Sequence, residues 1–193
     1  FTTTAIYTLI HCLERKWGVY FPKGGTGTLV QGLVKLFREL GGEIWLGSEA
    51  AEIVTRENEV TGVITKDGRN EGFDLVVSNA DVFHTYDTLL RRERRVEGMR
   101  QKLKRKAYSM SLFLIYFGTK IKYPKLLHHN IMFGPRYREL LSDIFERGRL
   151  ADDFSLYLHA PTRSDPQLAP PGCDTFYVLS PVPHLGKARL DWE

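Results

Sequence analysis

Cysteine is scarce in this 193-residue chain: Cys12 and Cys173 stand far apart, and no CxxC pair exists. That leaves neither a redox dithiol nor a thiolate zinc centre, and two free thiols suit a reducing cytoplasm. Long apolar runs are missing too. The longest, Leu112 to Phe117, falls far short of the ~20 residues that cross a bilayer. No signal-peptide pattern is visible in this stretch, which as an excerpt can have lost one. No GxSxG elbow, HExxH helix or Walker-type loop occurs, so hydrolase, zincin and P-loop chemistry have no support. A start methionine is absent; Phe1 lies inside a helical pattern, Trp192-Glu193 ends without a closing element, and the chain reads as an excerpt from a longer protein.

What is present describes an ordinary globular protein, 42% hydrophobic and 26% charged, with enough length for a substantial core. The charge is uneven. Residues 91–106, RRERRVEGMRQKLKRK, hold nine Lys/Arg against two Glu, a surplus of seven, so the net +4 leaves −3 for the remainder. Such a segment meets an anionic surface or is a solvated helix face. Val96, Met99 and Leu103 recur at helical spacing within it. Nucleic acid is not expected as a partner, because neither an RNP-type aromatic strand nor zinc-finger spacing accompanies the charge.

Apolar periodicity places a helix over 4–16 and another over LVQGLVKLFREL, stopped by Gly41-Gly42. Strands are expected at EIWL, EAAEIVT, VTGVIT and FDLVVSNA, with turns at RENE and at KDGR, whose Asp67-Gly68 is a hairpin signal. SMSLFLIYFGTKI reads as a long strand for the centre of a sheet covered on both faces. HHNIMFG, FSLYLHAP and TFYVLSPV read as further strands. RYRELLSDIFERG reads as a helix with Tyr137, Leu140, Leu141, Ile144 and Phe145 inward, and TRSDPQLAPPG as a Pro-rich loop. The expected fold class is α+β: a mostly antiparallel sheet with packed helices, plus a helix and strand meander.

The stretch FPKGGTGTLV supplies Gly25-Thr26-Gly27, but Val30 fills the third place of a dinucleotide fingerprint and no clear strand precedes it. It reads as a helix start with close backbone approach, whose N–H groups favour an electron-rich neighbour. His128 and His129 are adjacent on an expected strand and so point to opposite faces, which leaves no metal site expected. Asp152-Asp153 reads as a solvated acidic pair. The aromatics, 12% of residues, fill a core or line a long apolar pocket; spacing does not separate the two.

Several longer stretches then carry a resemblance: YTLIHCLERKWGVYFPKGGTGTLVQGLVKLFRELGGE, VVSNADVFHTY, SLFLIYFG, FGPRYREL, DDFSLYLHAP and YVLSPVPHLG. They resemble the middle of the bacterial-type phytoene desaturases, FAD-dependent carotenoid desaturases of the flavin amine oxidase superfamily. The likeness covers nearly the whole chain, with residues 51–73 and the basic segment as the variable parts. It implies an interrupted Rossmann-type FAD domain, of which residues 23–82 are an internal slice, with residues 1–22 and 83–193 belonging to the substrate domain.

The resemblance also implies FAD in the full-length protein, not held tightly by this piece alone, and a long apolar polyene substrate. In the superfamily the strand after the Gly-Gly turn gives backbone to the FAD adenine, a place held here by Ala50. Gly24 and Gly25 start their helix near the flavin and the domain junction without cradling the pyrophosphate. Asn79 and Asp81 hold the crossing out of the FAD domain by local hydrogen bonds. No catalytic acid or base is assigned, since the residues usually given that role lie upstream of Phe1. A membrane-resident substrate implies cytoplasmic protein docked at the inner membrane face, through Arg91, Arg92, Arg94 and Arg95. The orphaned meander exposes strand edges, so the excerpt alone is expected to self-associate. The alternatives are another carotenoid desaturase, a carotene isomerase, a retinol-saturase-like enzyme, or a non-enzymatic apolar-ligand or membrane-binding module.

Overall fold

The computed structural model describes residues 5–186 and residue 188. Its elements run α1 (Tyr7–Trp17), α2 (Thr26–Glu39), β1 (Ala50–Arg56), β2 (Glu59–Thr65), β3 (Asn70–Gly72), α3 (Val82–His84, continued as a π-turn over Thr85–Leu89), α4 (Glu97–Lys104), β4 (Ser111–Thr119), β5 (His129–Met132), α5 (Tyr137–Ser142, continued as a π-turn over Asp143–Arg147), β6 (Leu156–His159) and β7 (Asp174–Val182). They fall into two compact units, Phe1–Gly41 with Ser109–Glu193, and Gly42–Tyr108. The α+β expectation holds: both sheets are antiparallel throughout.

In the smaller unit the sheet order is β1-β2-β3. The first hairpin turns on Glu57 and Asn58, both at positive φ (48° and 77°), the conformation that two-residue turns demand. The second turns at Asp67-Gly68 as expected, with Gly68 at φ 89°. Gly62 is required by close approach, because a Cβ there would lie 2.3 Å from the Glu71 carbonyl oxygen. Two strand expectations fail. Residues 43–46 carry no ladder; Trp45 instead donates to Glu43 Oε2 at 3.3 Å and stacks under Arg69. Residues 73–80 form no strand beyond the Phe73 N–H bond to the Thr61 carbonyl, and Leu75 and Val77 lie exposed. Apolar alternation is present there, but no strand among the described residues pairs with it. Asp81 does act locally, as its Oδ1 accepts from the His84 N–H and starts α3.

In the larger unit the sheet order is β4-β7-β6-β5. β4 pairs β7 over its whole length, from Ser111 opposite Val182 to Thr119 opposite Asp174. β4 is therefore an edge strand, not the expected centre, and its residues from Leu112 to Phe117 are all exposed. Its unbroken apolar run signalled burial on both faces; the described residues do not supply the covering. Phe176 anchors the sheet core with Leu158 and Ala160. Leu140, Ile144 and Ala151 form a second cluster under α5. Of the five residues expected inward there, Leu140 and Ile144 are buried, Leu141 is half-buried, and Tyr137 and Phe145 are exposed. The π-turn that widens the helix moves the later positions off the inner stripe. It also buries Asp143, whose carboxylate accepts from Arg147 at 2.8 Å and Arg149 at 3.1 Å. α1 and α2 bury none of their residues against the described chain, so the stripes Ile6, Leu9, Ile10, Leu13 and Leu29, Leu33, Leu36, Phe37 face outward.

Candidate functional site

Strand pleating divides the larger sheet into two chemically different faces. On one face Phe113 lies opposite Ser180, Ile115 opposite Val178, and Phe117 opposite Phe176. Leu158 continues that face on β6, opposite Val178. Leu150 and Phe154, from the segment leaving the α5 π-turn, close over it. The result is an open cleft of about 440 Å³ lined by Phe113, Ile115, Leu150, Phe154, Leu156, Val178, Ser180 and Val182. Ser180 is the one polar side chain in that lining. Its Oγ is buried with no hydrogen-bond partner among the described residues. A wall this apolar excludes water and holds a hydrocarbon by area rather than by polar contacts.

The opposite face is polar and aromatic. Tyr116, Tyr177, Tyr157, His159 and His129 occupy its alternate positions, with Tyr116 and Tyr177 centroids 5.6 Å apart and His159 and Tyr177 4.6 Å apart. His128 precedes β5, outside the pleat, and its carbonyl accepts from the Ala160 N–H. Strand alternation therefore does not send it away from His129. The ring centroids of the two are 4.4 Å apart, against the sequence expectation that adjacent histidines diverge. The Nε2 atoms of His128 and His159 are 2.7 Å apart, and the Phe21 ring packs edge-on against both. Burial first, then the charges of His128 and His129, pushes the His159 imidazole down to about 4, so it is neutral near pH 7. Burial raises the Tyr157 hydroxyl to about 12. This histidine cluster was missed in the sequence, because His128 and His159 meet only through the β5–β6 pairing.

The residues proposed at the cofactor lie in different units. Gly24 and Gly25 both take positive φ (82° and 81°), and a Cβ on Gly24 would strike Thr28 Oγ1. Their amides are engaged: Gly24 N–H donates to Asp165 Oδ2 at 2.6 Å, and Gly25 N–H to the Pro22 carbonyl at 3.0 Å. A carboxylate seated at the Gly24 amide disfavours a phosphate at that position. Ala50 opens β1, the edge strand of the meander. It lines a smaller cleft of about 220 Å³ with Glu43, Trp45, Ser48, Val63, Thr65, Glu71 and Phe73. An edge strand presents unpaired backbone groups, the donors and acceptors that a heterocyclic base edge needs.

Four of the nine basic side chains of the segment 91–106 are tied down. Arg92 pairs with the largely buried Glu52 at 3.2 Å, and Arg95 with Glu93 at 3.0 Å. Arg95 holds the Glu93 carboxyl down to about 2. Arg100 pairs with Glu97 and also donates to the Tyr86 carbonyl. Lys104 reaches Asp87 at 3.4 Å. Arg91, Arg94, Lys102, Arg105 and Lys106 have no carboxylate partner among the described residues. Asp153, expected to be merely solvated, accepts from Arg136 at 2.5 Å. No helix among the described residues is long and apolar enough to cross a membrane.

The model of the family described as flavin containing amine oxidoreductase matches residues 1–175. The chain is 57% identical over its whole length to the lycopene-forming phytoene desaturase of Pseudescherichia vulneris, and 53% identical to that of Pantoea ananas. It spans 39% of the length of each of these two curated relatives. Among solved structures, an oxidoreductase from Methanosarcina mazei superposes on 92% of this chain and 38% of its own, with a TM-score of 0.68 at 21% identity, a likeness of fold.

Proposed function

The chain belongs to the flavin-containing amine oxidoreductase family, and from that premise we propose that it is an internal part of an FAD-dependent phytoene desaturase of carotenoid biosynthesis. The observation that carries this reading is the apolar cleft on the β4–β7 face, set beside whole-chain identities of 57% and 53% to proteins named as lycopene-forming phytoene desaturases. Within β4 the residues from Leu112 to Phe117 form a continuous apolar stretch of about 20 Å. Such a wall suits an extended polyene, which offers no polar group to grip.

In this reading residues 23–82 are a slice of the FAD side, and residues 1–22 with 83–193 form the substrate side. The residues present fit a flavin nucleotide in part. The backbone edge at Ala50 suits the adenine, whereas Gly24 and Gly25, with amides already engaged, serve by close backbone approach near the flavin. When bound, the flavin supplies the hydride acceptor for dehydrogenating a C–C bond. This chain's part is to exclude water through Phe113, Ile115, Val178 and Phe154 and to hold the polyene straight. No side chain here is assigned the proton. The outward apolar stripes of α1 and α2 and the open edge of β4 are covered by the rest of the full-length protein. The isolated piece, lacking that cover, self-associates through β4. Docking to the inner face of the membrane rests on Arg91 and Arg94, the members of the arginine cluster 91–95 without a carboxylate partner among the described residues.

The test is to incubate the flavin-loaded full-length protein with liposomes carrying phytoene or a partly desaturated carotenoid and to chromatograph the pigments. Accumulation of lycopene from phytoene is expected. Unchanged phytoene together with isomerisation of a later carotenoid would replace this reading with that of a carotene isomerase.

A further inference from the structure

We infer that His128, His129 and His159 form a binding site for one divalent late transition-metal ion of the zinc class, on the sheet face opposite the apolar cleft. One ring nitrogen from each of the three lies within 4.8 Å of the other two. The approach is built from three places: His129 opens β5, His159 ends β6, and His128 enters from the preceding loop. The pairing of His129 with His159 in the ladder fixes two of them on one face.

The outer nitrogens of two rings are already oriented. His128 Nδ1 lies 2.5 Å from Ser164 Oγ, and His129 Nδ1 lies 2.6 Å from the Tyr157 hydroxyl. These are the supporting bonds that metal-ligating imidazoles ordinarily make through the nitrogen that does not bind the ion. They leave the Nε2 atoms of His128 and His129 for the ion. His159 Nδ1 is buried with no hydrogen-bond partner among the described residues. Its ring is held instead by Tyr177, at 4.6 Å between centroids, and by Phe21 at 5.8 Å.

Zinc–imidazole bonds of ~2.0–2.1 Å in a tetrahedron set ligand nitrogens roughly 3.3 Å apart. The 2.7 Å pair opens by roughly half an ångström, and the wider pairs, up to 4.8 Å, close by at most about 1.5 Å through rotation of the rings. Three imidazoles with no carboxylate among them favour zinc, nickel or copper over magnesium or calcium. The fourth position stays open to water or an anion. Binding ties β5, β6 and the loop before β5 together, and the edge of that cluster is where Phe21 packs.

The experiment uses the untagged full-length protein, stripped with EDTA and titrated with zinc chloride against a chromophoric chelator. One equivalent bound at micromolar affinity or tighter is expected, unaffected by millimolar magnesium. His128→Gln and His159→Gln each weaken it at least tenfold, and His84→Gln leaves it unchanged. Circular dichroism and flavin content check that the variants fold. If either of the first two does not, the exposed His129→Gln decides: weakened binding supports the site and unchanged binding overturns it. No saturable equivalent, or one indifferent to substitution of His128, His129 and His159, overturns the inference and leaves the cluster a histidine–histidine hydrogen bond.

Discussion

Ser180→Ala should stabilise this protein, although it removes a polar group from the middle of a strand. Ser180 is 7% exposed, faces Phe113 across the β4–β7 ladder, and its hydroxyl meets no partner among the described residues. A buried hydroxyl left unsatisfied costs about 1–3 kcal/mol. Alanine removes that cost and opens a small void, worth a few tenths of a kcal/mol at ~24 cal/mol per Å³. The net expectation is a gain of about 1 kcal/mol, roughly a fivefold shift in the local opening equilibrium. Amide hydrogen exchange on the full-length protein reads this directly: β4 and β7 amides that exchange by opening of the sheet should slow about fivefold. The Michaelis constant for the polyene should fall or stay level, because the cleft becomes wholly apolar. Faster exchange in the variant would refute the reasoning, since it would mean the hydroxyl is bonded to something and the cleft has a polar anchor.

Three further outcomes follow from particular contacts. Gly62→Ala drives a methyl onto the Glu71 carbonyl, 2.3 Å from the ideal Cβ, and should cost about 1–3 kcal/mol by denaturant midpoint, whereas Gly72→Ala, 3.7 Å from the Thr61 carbonyl, should be nearly neutral. Because the folded His159 imidazole titrates near 4 and the unfolded one near 6.5, the unfolded state binds the extra proton first. Stability of the metal-stripped protein should therefore fall as pH drops from about 6.5 to 4, and His159→Phe should flatten that part of the profile. Arg91→Glu with Arg94→Glu removes two attractions of about 1 kcal/mol each and should weaken sedimentation with anionic vesicles at least ~30-fold at low salt. Unchanged partitioning would remove the basic segment from the membrane account.

Local chemistry was legible where the chain decides alone. Gly41 ended α2, Asp67-Gly68 turned the second hairpin, and the apolar stripe of α2 marked its span. What stayed hidden depends on partners distant in sequence. β4 was recognisable as a strand, but its pairing with β7 alone is fixed by residues some sixty positions on, so its place at the edge could not be read. The FDLVVSNA stretch has the alternation of a strand, and beyond Phe73 no strand among the described residues bonds to it. The histidine cluster needed the β5–β6 register together with the fact that His128 stands outside the strand. Asp165 beneath Gly24, which decides what those amides can bind, lies 141 residues from it. The Arg147–Asp143 pairing, by contrast, is an i,i+4 spacing that helical periodicity does offer.

The central claim is that this sheet holds a polyene beside a flavin in the full-length protein. The most direct measurement is anaerobic addition of phytoene to that protein, purified with its flavin, while the flavin absorption band is followed. Loss of the oxidised band in step with the appearance of new conjugated double bonds is the result expected. A protein that carries no flavin, or one whose flavin stays oxidised while phytoene is bound, would contradict it.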